Sequence, residues 1–209
     1  RTVDDRVLSF QVSGKLWMRS LVMGDVETGS EWSHLLGRAM AGPLKGKTLE
    51  PVITDMVTWA VWRDEHPDTT VLDMSRTRDN YTREFYRDPA RFVFGFDLDG
   101  KAWALPLAKM VDHPIHSFRI GDQSLLATFD SQGAVTHLFH RRLGEQVLEF
   151  SRIDDETMRD MQTGSHWTIK SGQAISGPMK GKSLKQRVGI MSFRKAWQNF
   201  FPDSQDVDF

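Results

Sequence analysis

The sequence contains no cysteine among its 209 residues, which excludes disulfides and thiolate metal sites within these residues. No apolar run approaches the ~18 residues that a membrane-spanning helix needs. Lys and Arg number 27 against 28 Asp and Glu, so the net charge is only −1. A chain this close to neutrality has no overall field that would attract nucleic acid or an anionic membrane. We therefore expect a soluble globular protein with no nucleic-acid partner and no membrane span.

Tyrosine is also scarce, with two residues, whereas the sequence has 7 Trp and 13 Phe. Large rings supply much apolar area per residue and are enriched in strands. This composition favours a β-rich fold over an aliphatic helical bundle.

One stretch of the sequence occurs twice. Asp-Val-Glu-Thr-Gly-Ser-Glu-Trp begins at Asp25, and Asp-Met-Gln-Thr-Gly-Ser-His-Trp begins at Asp160. Ten residues after the tryptophan, both continue with Gly-Pro-x-Lys-Gly-Lys-x-Leu. Residues 25–68, the first copy, align without a gap on residues 160–203, the second copy, with 17 identities in 44 positions. A repeat of this kind indicates an internal duplication.

The repeat and the turn signals predict an α+β fold that is mainly β. We expect a duplicated small antiparallel sheet or partial barrel, each copy ending in one helix, at residues 58–66 and 192–201. The tail from Ser204 to Phe209 should fray.

The predicted organisation has three parts: a first repeat unit at 1–72, a connector at 73–91 and a second repeat unit at 92–209. The strand Arg6–Phe10 matches Gln146–Phe150, which a long segment precedes in the second repeat unit. We therefore expect that the first repeat unit lacks its N-terminal part and that the natural protein extends before Arg1. The connector is rich in arginine balanced by acidic residues, and its role stays open.

Features kept in both copies are those that the fold needs, whereas features confined to one copy are free to serve function. We interpret the kept residues as a structural motif, in which Asp accepts backbone amide hydrogen bonds and Gly supplies a positive φ. These residues are Asp25, Trp32, Gly42, Pro43, Asp160, Trp167, Gly177 and Pro178. By the same reasoning, Trp62 and Trp197 should anchor the two helices in the core.

Candidate chemistry is sparse. The sequence has no nucleophile elbow and no glycine-rich phosphate loop, so no catalytic constellation is found and the enzyme question stays open. Because Pro114 interrupts regular structure, a turn could bring His113 and His116 together beside Asp112, a donor set that zinc or iron accepts. A structural or surface role for these three residues is the alternative. The cofactor of the natural protein stays unknown, and none is expected in this fragment.

Several segments together resemble domain-of-unknown-function family 3179. In the first half they are Val12-Ser-Gly14, Leu21-Val-Met23, Thr28-Gly-Ser30, Gly37-Arg-Ala39, Ala41-Gly-Pro-Leu44, Lys45-Gly-Lys47 and Trp59…Trp62…His66-Pro-Asp68. The resemblance continues through Phe94-Gly-Phe-Asp97, Asp99-Gly100, Ala104-Leu-Pro-Leu107 and His113.

The resemblance implies an extracytoplasmic (periplasmic or secreted) protein of bacteria or archaea, with no activity to transfer. Family members carry a Cys-Pro-Leu-Cys segment, which would fall before Arg1. In the second repeat unit, Asp130 and Gly133 stand where those cysteines would be.

The leading hypothesis is a non-enzymatic exported module with a binding or structural role. The alternative is a redox or metal-dependent protein whose cysteine-bearing segment is absent from this chain. Either way, the strand near Val7–Phe10 should have lost a neighbour and should favour self-association or pairing with another chain.

Overall fold

The computed structural model describes residues 1–71, 88–130 and 135–209. Within these ranges the strands are, in chain order, β1 (Thr2–Val3), β2 (Arg6–Val7), β3 (Phe10–Trp17), β4 (Ser20–Asp25), β5 (Glu31–Ser33), β6 (Arg38–Ala41), β7 (Phe92–Leu98), β8 (Lys101–Pro106), β9 (Ile115–Ile120), β10 (Gln123–Asp130), β11 (Val135–His140), β12 (Arg142–Leu143), β13 (Gln146–Val147), β14 (Phe150–Arg152), β15 (Thr157–Asp160), β16 (His166–Thr168), β17 (Ala174–Ser176), β18 (Lys185–Gln186), β19 (Ile190–Phe193) and β20 (Gln205–Asp206). The α-helices are α1 (Trp59–Glu65), α2 (Leu107–Asp112) and α3 (Arg194–Phe200). The fold is mainly β, as predicted, and none of the described helices is long and apolar enough to cross a membrane.

The chain forms two compact units. The first consists of Arg1–Val52 with Lys195–Pro202, and the second of Ile53–Arg194 with Asp203–Phe209. The helices are thereby exchanged with respect to the sequence repeat. Helix α1 belongs to the first copy but lies in the second compact unit, whereas nearly all of α3 belongs to the second copy but lies in the first compact unit.

The first compact unit is built on one four-stranded antiparallel sheet in the order β3-β4-β5-β6, with a small β1–β2 hairpin beside it. The ring of Trp32 lies at the centre of its core and is 1% exposed. Around this ring the buried side chains are Val3, Leu8, Ala39 and Leu44.

The second compact unit contains three four-stranded sheets and a β12–β13 hairpin. Sheet β18-β11-β10-β9 is buried on both faces because alternate residues of β10 enter two different cores. Leu125 and Phe129 join the larger core with β7 and β8, whereas Leu126 joins the smaller core with the sheet β14-β15-β16-β17. The third sheet has the order β19-β7-β8-β20.

The β7–β8 hairpin shows how local sequence sets this architecture. Asp99 and Gly100 both have positive φ, 53° and 76°, the conformation that a two-residue hairpin turn requires. The Asp97 side chain accepts a hydrogen bond from the amide of Gly100 at 3.2 Å. The strands on either side then supply alternating rings to the larger core.

The predicted helices at 58–66 and 192–201 correspond to α1 and α3. Trp197 on α3 is 3% exposed, as expected for a core anchor. Trp62 on α1 is 39% exposed, so the expectation that it lies in the core was wrong. Its indole N–H donates to the hydroxyl of Thr69 at 3.0 Å, and its ring lies 4.0 Å from that of His66.

The C-terminal tail is docked, which corrects the expectation that it frays. Strand β20 pairs in parallel with β8, and Val207 is 6% exposed within the larger core. The amide of Val207 also donates to the carbonyl of Ala104 at 2.9 Å. The buried side chain of Val207 and the short pairing of β20 with β8 together hold the tail in place.

The predicted strand Arg6–Phe10 is divided in two. Val7 pairs with Thr2, Leu8 is fully buried, and Phe10 begins β3 opposite Asp25. Most of the predicted connector 73–91 lies outside the described residues, and its last residues form a 3-10 turn at Pro89–Arg91.

Candidate functional site

The motif of the first copy closes around the carboxylate of Asp25. This side chain is 2% exposed and accepts hydrogen bonds from the indole N–H of Trp32 at 2.8 Å and from the amide of Thr28 at 2.6 Å. The Thr28 hydroxyl lies 2.7 Å from the same carboxylate and 2.6 Å from the Ser30 hydroxyl. Phe10 contacts the Trp32 ring edge to face, with centroids 5.5 Å apart.

The second copy repeats the main contacts of this arrangement. The indole N–H of Trp167 donates to Asp160 at 2.9 Å, and the amide of Thr163 donates to the same carboxylate at 2.6 Å. Phe150 meets the Trp167 ring edge to face at 5.7 Å. The carboxylates therefore serve the chain's own donors in both copies.

A glycine and a serine join each motif to the following turn. The hydroxyl of Ser30 accepts the amide of Leu44 at 3.0 Å, and that of Ser165 accepts the amide of Met179 at 3.0 Å. A Cβ at Gly42 would lie 2.7 Å from the Cα of Ser30, and the same distance separates a Cβ at Gly177 from Ser165. Only glycine fits such an approach. The structural role of these residues stays a prediction, tested by the substitutions described below.

The two buried aspartates are held in their charged form. Burial raises the pKa of Asp25, but the hydrogen bonds from Trp32 and Thr28 outweigh this effect, so the pKa lies below its ordinary value of 3.8. The pKa of Asp160 is lowered in the same way by Trp167 and Thr163. Neither carboxylate is poised to exchange a proton near neutral pH.

The predicted metal candidates are placed on two elements. Asp112 ends α2, His113 follows it, and His116 lies on β9. The Nε2 atom of His116 lies 2.7 Å from the carbonyl oxygen of Asp208, to which it donates, and its ring stacks on Phe209 at 4.1 Å. Burial lowers the pKa of His116, which favours the neutral imidazole. Among the described residues, no three His, Asp or Glu side chains are grouped so that they could hold a metal ion.

A His–Asp pair in the second compact unit joins a buried histidine to an exposed aspartate, and no sequence pattern indicates it. His137 on β11 is 2% exposed, and its Nε2 lies 3.3 Å from a carboxylate oxygen of Asp55. The hydrogen bond from His137 is the main reason that the pKa of Asp55 is lowered. The two residues are far apart in sequence, and Asp55 lies in an irregular segment, so no spacing pattern could have found them.

A cavity of about 310 Å³ lies on the same face of the sheet as His137. Asp130, Thr168 and Lys170 line it, and Lys170 forms an ion pair with Glu65. Asp130 is one of the two positions at which the resemblance would place a cysteine, and it is 9% exposed. Gly133, the other position, lies outside the described residues.

One face of the repeated motif is covered in the second compact unit. Phe139 of β11 lies over Gly172, where an added Cβ would be 2.9 Å from the ring. The Thr128 hydroxyl donates to the carbonyl of Ile169 at 2.9 Å, and β18 pairs with β11. Met158 and Ile169 are consequently 0% and 1% exposed.

The same face is open in the first compact unit. The counterparts of Met158 and Ile169 are Met23, which is half-buried, and His34, which is exposed. The nearest atom to an added Cβ at Gly37 is the Leu49 Cβ, at 3.8 Å. This surface, formed by Met23, His34, Gly37 and Leu49, is hereafter the open face.

Comparison with known proteins identifies one family. A family model described as a protein of unknown function (DUF3179) matches residues 1–91 and again residues 88–204. No curated protein and no solved structure matches the chain. The two successive matches follow the duplication seen in the sequence and in the paired Asp–Trp motifs. The chain therefore belongs to the DUF3179 family of proteins of unknown function.

Proposed function

We propose that the protein is a non-enzymatic module with a binding or structural role, and that it associates with a second copy of itself through the open face of the first compact unit. The observation that carries this proposal is the contrast between the open face and its covered equivalent. In the second compact unit the chain itself supplies the cover, in the form of Leu126 and Phe139. In the first, the same face is left with the half-buried apolar side chains Met23 and Leu49.

A symmetric dimer suits a face of this kind because a twofold interface places the same patch on both partners. Two open faces packed together would cover Met23 and Leu49 with apolar atoms and would bring the two copies of His34 near the axis. The sequence pointed instead to the strand near Val7–Phe10. Leu8 is already buried and Val7 is already paired with Thr2, so we place the contact on the open face.

Sedimentation velocity over a range of protein concentrations tests the proposal. The parent chain should form dimers, and His34→Asp should dissociate them, because it brings two carboxylates together across the axis. His166→Asp is the matched control, since His166 is an exposed histidine on a strand of the second compact unit. A parent chain that stays monomeric, or an equal effect of both substitutions, would contradict the proposal.

We also propose that the protein works outside the cytoplasm, on the family resemblance alone. Fractionation of cells that express the protein from its natural gene, with detection by an antibody against this chain, tests this point. Recovery only in the cytoplasmic fraction would refute it.

A further inference from the structure

A groove of about 620 Å³ lies in the first compact unit, on the side of the sheet opposite to Trp32. Side chains alternate along strands, so Val22 on β4 and Met40 on β6 face away from the core that Trp32 occupies. Both line the groove, together with Leu16 and Leu36. Its floor is thus apolar, and it is distinct from the open face.

The rim of the groove is positively charged. Arg38 and Lys45 line it, and neither has a carboxylate partner in the part of the chain that the structure describes. The third cation, Lys15, forms an ion pair with Glu31 across the groove. Arg38 and Lys45 therefore stand beside an apolar floor without an ion-pair partner of their own among the described residues.

The groove depends on a long hairpin of the first compact unit. Its β3–β4 hairpin has 14 residues between Phe10 and Asp25, whereas nine lie between Phe150 and Asp160 in the second copy. The extra length carries Leu16 and Trp17, and Trp17 is held edge-on against Phe200 at 5.0 Å.

The floor also differs between the copies. The positions that align with Val22, Leu36 and Arg38 hold polar, uncharged residues in the second copy, namely Thr157, Ser171 and Gln173. Because the duplicated fold forms with either set, folding alone does not require the apolar and cationic residues of the first copy.

We propose that this groove binds an extended segment of another protein that combines acidic and bulky apolar side chains. The apolar side chains would cover Leu16 and Met40, and the carboxylates would meet Arg38 and Lys45. A peptide fits better than a small molecule because Leu16 is 71% exposed, so an occupant would stay partly in solvent, whereas small-molecule sites bury most of their ligand. Strand β3 lies at the edge of its sheet, where an extended segment can also pair with it. The inference does not rest on self-association, which uses the opposite face.

Fluorescence anisotropy with three fluorescein-labelled hexapeptides tests the inference: alternating Glu and Leu, alternating Glu and Ser, and alternating Lys and Leu. Only the Glu–Leu peptide should bind, and binding should weaken with added salt. Arg38→Gln and Lys45→Gln should each raise its Kd about threefold, the size expected for one partly exposed ion pair. Arg38→Gln installs the residue of the second copy, so the fold should tolerate it.

Lys180→Gln is the matched control, because Lys180 is the counterpart of Lys45 in the second copy and is likewise exposed. It removes the same charge and should leave the Kd unchanged. Equal weakening by Lys45→Gln and Lys180→Gln, or equal binding of the Glu–Ser peptide, would reduce the effect to surface charge and overturn the inference. Failure of the Glu–Leu peptide to bind would also overturn the inference. So would displacement of the peptide by decanoate, if the Kd of decanoate were lower than that of the peptide, because this result would indicate a lipid ligand.

Discussion

The two copies of the Asp–Trp motif share the hydrogen bonds around their buried carboxylates and differ in the surfaces that surround them. Around Asp25 and Asp160 the indole N–H and the threonine amide and hydroxyl donate to the carboxylate in both copies, and the two indole contacts agree within 0.1 Å. Beyond this centre one copy presents an open face and a cationic groove, whereas the other is covered by a sheet. Hydrogen bonds to a buried carboxylate tolerate little change, whereas the turn after the motif's central strand holds His34 in one copy and Ile169 in the other. Duplication thus separates what the fold requires from what each copy can use.

The largest expected effect is the loss of the central ring. Trp32→Ala and Trp167→Ala each leave a large cavity and strip Asp25 or Asp160 of a donor, so each should reduce the free energy of unfolding by about 3–5 kcal/mol. Urea unfolding followed by near-ultraviolet circular dichroism measures this. Trp62→Ala is the control, since Trp62 is 39% exposed and should cost much less. Unequal costs for Trp32 and Trp167 would break the equivalence of the two motifs.

A methyl group at the glycine of either motif should have the next largest effect. Gly42→Ala and Gly177→Ala place a Cβ 2.7 Å from a backbone atom, which should cost about 3 kcal/mol through overpacking and strain. Their controls share the backbone conformation without the contact: Gly46 and Gly181 have φ of 90° and 83°, and no atom lies within 4 Å of an added Cβ.

For these controls we expect about 1 kcal/mol, the cost of a positive φ alone. Thermal melts of the four variants distinguish the two contributions. If Gly46→Ala destabilised the protein as much as Gly42→Ala, the close approach to Ser30 would have no special role.

The smallest of these effects is a change in acid stability. Because the folded-state pKa of Asp25 and of Asp160 lies below the ordinary 3.8, each carboxylate contributes stability that is fully present above that pH and is lost as pH falls through the folded value. Asp25→Asn and Asp160→Asn should cost about 2 kcal/mol at neutral pH and should flatten the dependence of stability on pH below about 4.

Urea midpoints measured from pH 7 down to pH 2 provide the test, with the exposed Asp122→Asn as control. An unchanged pH profile in both motif variants would show that neither carboxylate is stabilised in its charged form.

Much of the fold follows from local sequence. Turn residues such as Asp99-Gly100 impose positive φ directly, and strict alternation on β10 assigns each side chain to a face. The repeat identified Asp25 and Asp160 as structural residues without any structural information, because residues that are identical in both copies are those that the fold needs.

Long-range packing could not be predicted in the same way. The docking of β20 on β8 and the pairing of Asp55 with His137 join segments about a hundred or about eighty residues apart, and neither has a local pattern. The exposure of Trp62 has a similar origin. Helical spacing predicts an apolar stripe on α1, but whether that stripe is buried depends on packing between distant segments, and Trp59 and Trp62 are both exposed.

The exchange of α3 has a consequence for synthesis on the ribosome. The first compact unit needs residues 195–202 to complete it, yet its sheet ends before Val52. At roughly 5–20 residues per second, translation delivers residues 195–202 ~7–30 s after the sheet residues have been made. During this interval Trp17 has no Phe200 to contact. The nascent first unit therefore stays incomplete, with Trp17 not covered by Phe200, until α3 has been synthesised.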